Sequence, residues 1–153
     1  MGNICRSPAA EVILHSMVDE AGLEKKVEID SAGTAGYHEG APIDSRMGRV
    51  LAKRGYSVFG YARCIKPEDL ENFDLIVTMD EENYREVKQL DVKACYRDKI
   101  RLLSDFFKNH RDSEVPDPYY GGVAGFDYVV DLLEDGCQNL FKDILPKISS
   151  SPA

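Results

Sequence analysis

The sequence predicts an α/β fold in which a parallel sheet is flanked by helices. Short apolar runs typical of strands alternate along the chain with segments of helical periodicity, and helix-capping residues stand at several boundaries. This alternation favours a parallel sheet, because each return to the same strand direction needs a crossover, usually a helix. Ligands of such folds bind at the carboxyl ends of the strands.

The first elements follow directly after the start of the chain. A helix is predicted from Pro8, with Ser7 as its N-cap and Gly22 after its end, because apolar residues recur between them at helical spacing. Residues 27–32 then predict a strand that ends at Gly33. A second helix should follow Asp44.

The pattern continues to the end of the chain. The remaining predicted elements are the end of the second helix at Lys53 and Arg54, a helical turn at 67–72, a strand at 75–79, a helix from an Asp80 cap to about Leu90, a strand at 100–103, a polar loop at 108–124 and a last helix from about Phe126 to Ile144. We expect one domain, residues 1–153, with a flexible tail at 147–153.

Net charge, apolar runs and cysteine spacing indicate which binding partners and compartments are expected. The net charge of −8 argues against nucleic acid or an anionic membrane as a partner, and no apolar run or secretory signal directs the chain to a membrane or to export. Four widely spaced cysteines without a C-x-x-C pair suggest neither a zinc site nor disulfides. We therefore expect a cytoplasmic protein without metal or cofactor.

The first residues predict an anion-binding loop. Gly2 and Asn3 can adopt backbone conformations closed to most residues, and Arg6 offers a planar fork of donors for two phosphate oxygens. The amides and dipole of the helix start that follows attract negative charge. Such a loop normally follows a strand.

Three separated motifs resemble those of the low-molecular-weight protein tyrosine phosphatases. They are Gly2-Asn3-Ile4-Cys5-Arg6-Ser7-Pro8, Asp30-Ser31-Ala32-Gly33-Thr34 and Asp117-Pro118-Tyr119-Tyr120, and the likeness extends to about Ile144. The resemblance implies a four-stranded parallel sheet with helices on both faces, and a phosphate loop of the form Cys-x5-Arg. Arg6 is the arginine of this loop.

The resemblance places the nucleophilic cysteine just before Met1, six positions before Arg6. The printed chain does not contain that cysteine or the first strand of the family's sheet. We expect the native protein to be a longer phosphatase in which Met1 is internal. The chain as printed should have activity at or near background.

The resemblance assigns roles to the remaining site residues. Gly2, Asn3, Ile4, Cys5, Arg6 and Ser7 would bind the phosphate, with Arg6 catalytic, Asn3 fixing the loop and Ser7 steadying the thiolate. Asp117 would be the general acid and then the base. Tyr119 and Tyr120, which by themselves suggest only packing, would stack on an aryl phosphate. The implied substrates are phosphotyrosine proteins or small aryl phosphates, and the product is inorganic phosphate.

Several alternatives stay open. Cys5 is a poor substitute for the nucleophile, because the curvature of the loop should direct its sulfur away from the phosphorus. A pseudophosphatase that binds phosphorylated partners without turnover is a second interpretation. An arginine phosphatase or an arsenate reductase is a third, although Ile4 and the paired tyrosines argue against phosphoarginine. His15, His38 and His110 suggest no role.

Overall fold

The computed structural model describes residues 4–36, 38–118 and 122–150. Its helices are α1 (Arg6–Glu20), α2 (Ser45–Lys53), α3 (Pro67–Asn72), α4 (Glu81–Leu90) and α5 (Val123–Ser150), and its strands are β1 (Ile76–Thr78) and β2 (Ile100–Leu102). The strands are parallel, with Ile76 opposite Ile100 and Thr78 opposite Leu102. The alternation of strand and helix therefore agrees with the α/β prediction.

Helices cover both faces of the strand pair. Side chains of successive strand residues point to opposite faces, and Val77 packs against one apolar cluster while Ile76 packs against another. The larger cluster lies among α1, α2 and α5, and the smaller one includes Leu70 of α3 and Val87 of α4. None of the described helices has an apolar stretch long enough to cross a membrane.

The strand expected at 27–32 is not part of the sheet that the structure describes. Burial alternates along this segment as in a strand, with Val27 and Ile29 half-buried and Glu28 and Asp30 exposed. However, its backbone pairs with another described segment only at its end, where Gly33 forms a parallel bridge with Cys64. An apolar alternation predicts which side chains are buried, but a strand also needs a backbone partner.

Helix α1 starts earlier than the sequence predicted. Arg6 is its first residue and Cys5 its N-cap, so Ser7 lies inside the first turn and makes no cap hydrogen bond. The Ala9 amide donates to the Cys5 carbonyl at 3.2 Å. Pro8 is tolerated here because the amides of a first turn have no partner within the helix. The prediction of Ser7 as the N-cap was wrong.

The two predicted aspartate caps are confirmed. Asp44 accepts hydrogen bonds from the Arg46 and Met47 amides at the start of α2. Asp80 accepts one from the Asn83 amide at 2.7 Å at the start of α4. Each carboxylate satisfies amides that the helix leaves unpaired and stabilises its positive end.

Helix α5 is longer than predicted at both ends. It begins at Val123 and passes through Pro146 to Ser150. Ile148 is buried, one helical turn beyond Ile144, which also packs on the core. Residues 147–150 therefore continue the helix rather than form the expected tail, because this apolar stripe extends the contact with the core.

Candidate active site

The candidate site lies beyond the carboxyl end of β1, where the beginnings of α1, α2 and α4 meet. The guanidinium of Arg6, only 5% exposed, occupies its centre. Arg6 Nη1 donates to Asp80 Oδ2 at 2.6 Å and to the Val115 carbonyl at 2.7 Å. One guanidinium nitrogen thus joins three segments that are far apart in the sequence.

Among the described residues, Arg6 donates side-chain hydrogen bonds only through Nη1. Its Nε and Nη2 contact no described acceptor. A guanidinium binds two anionic oxygens best through two parallel N–H donors. The contacts with Asp80 and Val115 therefore orient Arg6, and no other described residue occupies its Nε and Nη2.

Asp80 caps α4 and also pairs with Arg6. Burial alone would raise the pKa of this carboxyl, but the Asn83 amide and the Arg6 guanidinium both favour its charged form, and the net effect is a pKa below its ordinary value of 3.8. Asp80 is therefore ionised at neutral pH. It supplies the negative charge that keeps a buried Arg6 in place.

The Cys5 thiol is held in its protonated form. Its side chain is 6% exposed. Burial, followed by the carboxylates of Asp44 and Asp117, raises its pKa to about 12, against the weaker opposite effects of Arg46 and Arg6. A thiol is nucleophilic as the thiolate. This supports the expectation that Cys5 does not replace the family's nucleophile.

The start of α2 forms a second wall of the site. The Asp44 amide donates to the Ile4 carbonyl at 2.7 Å, which ties the loop before α1 to the cap of α2. Asp44 also accepts from Arg46 Nε at 3.2 Å and Nη2 at 3.0 Å. The Arg46 guanidinium lies 4.7 Å from the centroid of the Phe126 ring.

The segment that carries Asp117 is fixed at the end of β1. The amide of the fully buried Val115 donates to the Met79 carbonyl at 2.8 Å. Pro118 is buried while Pro116 and Asp117 are exposed. The carboxyl of Asp117 is close enough to raise the pKa of Cys5. Asp117 thus combines solvent access with proximity to the loop before α1.

The structure brings together four of the residues predicted for the site, namely Ile4, Cys5, Arg6 and Asp117. Ser7 is half-buried in the first turn of α1. The predictions for Gly2, Asn3, Tyr119 and Tyr120 lie outside the described residues. Ile4, Cys5 and Arg6 lie at the start of α1, and the hydrogen bond from Val115 to Met79 brings the segment of Asp117 to the same end of β1.

Two parts of the site were not predicted. The sequence predicts Asp80 only as a helix cap, although a residue just after a parallel strand lies at the edge where ligands bind, and this position is a usable signal. The Val115 carbonyl is the second part. No sequence signal marks a backbone acceptor that becomes important only through a contact 109 positions away.

The arrangement can bind an anion and exchange a proton beside it. Arg6 and the start of α1 supply positive charge, and Asp117 supplies a solvent-accessible carboxyl. A cavity of about 540 Å³ borders this carboxyl and also contacts Asp80, Glu114 and Pro116. Across the described residues, no cluster of three metal-ligating side chains occurs.

Nearly the whole chain is similar to one protein family. The sequence model of the low molecular weight phosphotyrosine protein phosphatases matches residues 1–150. A protein of Synechocystis assigned to the low molecular weight protein-tyrosine-phosphatases is 51% identical over 144 residues, which cover 94% of this chain and 92% of the relative. The human low molecular weight phosphotyrosine protein phosphatase is 37% identical over 131 residues, or 84% of this chain and 82% of the relative.

Solved structures give the same result. The protein tyrosine phosphatase of Entamoeba histolytica, crystallised with Hepes in its active site, superposes with a TM-score of 0.92 at 44% identity and covers 96% of this chain and 94% of its own. YfkJ of Bacillus subtilis has a TM-score of 0.89 at 36% identity, with 96% and 91% coverage. The superposition therefore extends over nearly the whole chain.

Proposed function

Because the chain belongs to the low molecular weight phosphotyrosine protein phosphatase family, we propose that the protein hydrolyses phosphotyrosine in proteins, or small aryl phosphates, and releases inorganic phosphate. The orientation of Arg6 carries this proposal. Its Nη1 is anchored by Asp80 and Val115. Its other donors remain for the phosphoryl oxygens, whose charge must be stabilised during transfer.

The proposed reaction has two steps. The cysteine thiolate that the family resemblance implies attacks the phosphorus while the bond to the phenolic oxygen breaks, and Asp117 gives its proton to that oxygen. Water then attacks the cysteinyl phosphate, and the Asp117 carboxylate accepts a proton from the water. Phosphate leaves, and the thiolate and the protonated Asp117 are restored.

The other predicted residues support these steps in the proposal. Arg6 and the amides of Gly2, Asn3, Ile4 and Cys5 hold the phosphoryl oxygens, and Ser7 steadies the thiolate. Tyr119 and Tyr120 stack on the aryl ring of the substrate, so a deep pocket selects phosphotyrosine. The four free cysteines, two of them buried, are consistent with a reducing cytoplasm, where we place the protein.

The test uses a polypeptide in which a strand and a cysteine precede Met1, assayed with a phosphotyrosine peptide. We expect Arg6→Lys to lower kcat/KM about 100-fold or more, because lysine keeps the charge but loses the paired donors.

Asp117→Asn should lower kcat at least 100-fold, because asparagine cannot give a proton. Asp112→Asn, in the same loop, should retain activity. Equal losses in Asp112→Asn and Asp117→Asn would refute the assignment of the acid.

A pseudophosphatase remains a second candidate for the 153-residue polypeptide. The observation that favours it is the combination of an anchored Arg6 with a protonated Cys5. Titration calorimetry of this polypeptide with vanadate should show binding without turnover of the phosphotyrosine peptide. Absence of binding at millimolar vanadate would exclude this candidate. The arginine phosphatase alternative is tested on the full-length protein, where faster hydrolysis of a phosphoarginine peptide than of a phosphotyrosine peptide would favour it.

A further inference from the structure

Contacts with two elements hold the chain shortly before it reaches the proposed acid, Asp117. Tyr128 Oη of α5 lies 2.8 Å from each carboxylate oxygen of Asp112 and donates a hydrogen bond to this carboxylate. Ser104 Oγ, just after β2, donates to the Ser113 carbonyl at 2.7 Å. These contacts hold the beginning of the segment, and the residues that follow determine where Asp117 itself lies.

The half-buried side chain of Glu114 connects this segment to the start of α4. Glu114 Oε2 accepts a hydrogen bond from the Glu81 amide at 2.6 Å. Glu81 is the first residue of α4, and the amides of a first helical turn have no acceptor within their own helix. A carboxylate is a favourable partner for such an amide, because the start of a helix carries partial positive charge.

Glu114 and Asp80 bind different amides of the same helix start. Asp80 is the N-cap of α4 and accepts from the Asn83 amide, whereas Glu114 accepts from the Glu81 amide. Since Asp80 already caps the helix, α4 can begin without Glu114. The main consequence of the Glu114 contact is therefore on the loop, where it fixes the chain against α4.

The path from Glu114 to Asp117 is short and stiff. Val115 and Pro116, which lie between them, have apolar side chains, so Glu114 is the last side chain before Asp117 that can form a hydrogen bond. Val115 is fully buried, and both its amide and its carbonyl are hydrogen-bonded. The rings of Pro116 and Pro118 restrict backbone rotation on either side of Asp117. A shift of the backbone at Glu114 should therefore also move Asp117.

We propose that Glu114 is a positioning residue for Asp117, which its hydrogen bond to α4 holds where the carboxyl can give a proton to the leaving phenolic oxygen. This inference rests on the proposed function. The Val115 carbonyl accepts from Arg6, which also binds the phosphoryl group in the proposed reaction. Glu114 instead accepts from a backbone amide of α4, so its hold on the segment does not depend on a group that binds the substrate.

The test measures kcat/KM of the full-length protein for phenyl phosphate and for p-nitrophenyl phosphate. Phenolate resembles the leaving group of phosphotyrosine, with a pKa of about 10, and needs a proton from Asp117, whereas p-nitrophenolate leaves readily without one. Glu114→Ala should lower kcat/KM about tenfold for phenyl phosphate and less than about twofold for p-nitrophenyl phosphate. Glu114→Gln should restore most of this loss, because its amide oxygen can accept the same hydrogen bond.

The matched control is Glu82→Ala. Glu82 is exposed and borders the same cavity as Glu114 and Asp117, so this variant removes an equal charge from the same surroundings. It should leave kcat/KM for both substrates unchanged. An equal loss for the two substrates in Glu114→Ala, or the same loss in Glu82→Ala, would overturn the proposal.

Amide hydrogen exchange tests the contact without turnover. The Glu81 and Val115 amides should exchange at least about tenfold faster in Glu114→Ala, and close to the wild-type rate in Glu114→Gln and Glu82→Ala. Absence of turnover in the full-length wild type would overturn the proposed function and this inference together. If the wild type is active and Asp117→Asn is impaired, unchanged exchange at Val115 in Glu114→Ala would overturn this inference alone.

Discussion

Arg6 shows how hydrogen-bond acceptors around a buried guanidinium offset the free-energy cost of removing its charge from water. A guanidinium that is 5% exposed loses most of its hydration, which costs several kcal/mol unless other groups compensate it. Asp80 supplies the opposite charge and Val115 a carbonyl, and both contact the same nitrogen. The cost of burial is thus offset at Nη1, so the position of Arg6 depends on Asp80.

We predict that Asp80→Asn weakens both stability and anion binding. Asparagine can still cap α4, but Arg6 loses its counter-charge, so the free energy of unfolding should fall by about 3 kcal/mol. Vanadate affinity should fall as well, because Nη1 loses its charged anchor and keeps only the Val115 carbonyl. Urea unfolding and calorimetry measure the two effects.

The control for this variant is Asp105→Asn, since Asp105 is a 45% exposed partner of Arg101. It should change stability by less than about 1 kcal/mol. If Asp80→Asn behaves like Asp105→Asn in both measurements, the anchoring role of Asp80 is wrong.

The thiols should differ sharply in reactivity. A pKa of about 12 leaves Cys5 protonated at pH 8, and Cys137 is buried with its pKa raised by burial to the same value, whereas Cys95 is exposed. Iodoacetamide should therefore alkylate Cys95 rapidly in the folded protein, and Cys5 and Cys137 only in urea. Peptide mapping by mass spectrometry measures the order. Rapid alkylation of Cys5 in the folded state would contradict the assigned pKa.

At the scale of elements, α5 determines how closely the helices approach the end of β2. Gly136 of this helix faces Leu103, and a Cβ added to Gly136 would lie 2.6 Å from Leu103 Cγ. Helix propensity disfavours glycine here by about 1 kcal/mol relative to alanine. The contact indicates that close packing, rather than propensity, explains this residue.

We predict that Gly136→Ala destabilises the protein by about 1–3 kcal/mol despite the better helix former, because Leu103 must move. Gly125, near the start of the same helix, is the matched control. Among the described residues, its added Cβ would meet only Pro118 Cβ at 4.0 Å. Gly125→Ala should be neutral or stabilise by up to about 1 kcal/mol in thermal unfolding. Equal effects of the two substitutions would rule out the packing explanation.

At the scale of the whole molecule, Asp135 joins α5 to residues 108–110, in the loop that also carries Asp117. Its carboxylate is 2% exposed and accepts hydrogen bonds from the Lys108 amide at 3.1 Å, the Asn109 amide at 3.0 Å and His110 Nδ1 at 2.8 Å. Burial would raise its pKa, but these three donors together hold the pKa below 3.8. The loop after β2 is thus attached to the longest helix.

We predict that Asp135→Asn lowers the free energy of unfolding by about 3 kcal/mol at pH 7, because the new NH₂ group must face an N–H donor. Folding lowers the pKa of Asp135, so the ionised carboxylate contributes fully to folding stability above the ordinary pKa of 3.8. This contribution to stability is lost as the pH falls through the folded-state pKa. The difference between the two proteins should therefore shrink below pH 3.8. Urea unfolding across this range measures it.

The comparison variant is Asp131→Asn, at a side chain 51% exposed that pairs with Arg54. Its cost should stay below about 1 kcal/mol, because solvent screens this pair. A constant difference between wild type and Asp135→Asn down to pH 2 would show that the charge of Asp135 does not contribute.

The sequence alone determined the features that depend on neighbours a few positions apart. The caps Asp44 and Asp80 and the α/β alternation all follow from local spacing and residue chemistry. The family resemblance also rested on such short motifs. Hydrogen bonds inside a helix connect residues four apart, so local residues suffice to predict them.

Only the tertiary structure decided which distant groups meet. The Arg6 contacts with Asp80 and Val115 span 74 and 109 positions, and whether 27–32 pairs as a strand depends on a neighbour that the segment itself does not specify. The start of α1 at Arg6 instead of Pro8 was also decided by the tertiary structure, because Arg6 is the residue that makes these long-range contacts. Coulombic and hydrogen-bonding energies depend on distance in space, which local spacing in a sequence does not contain.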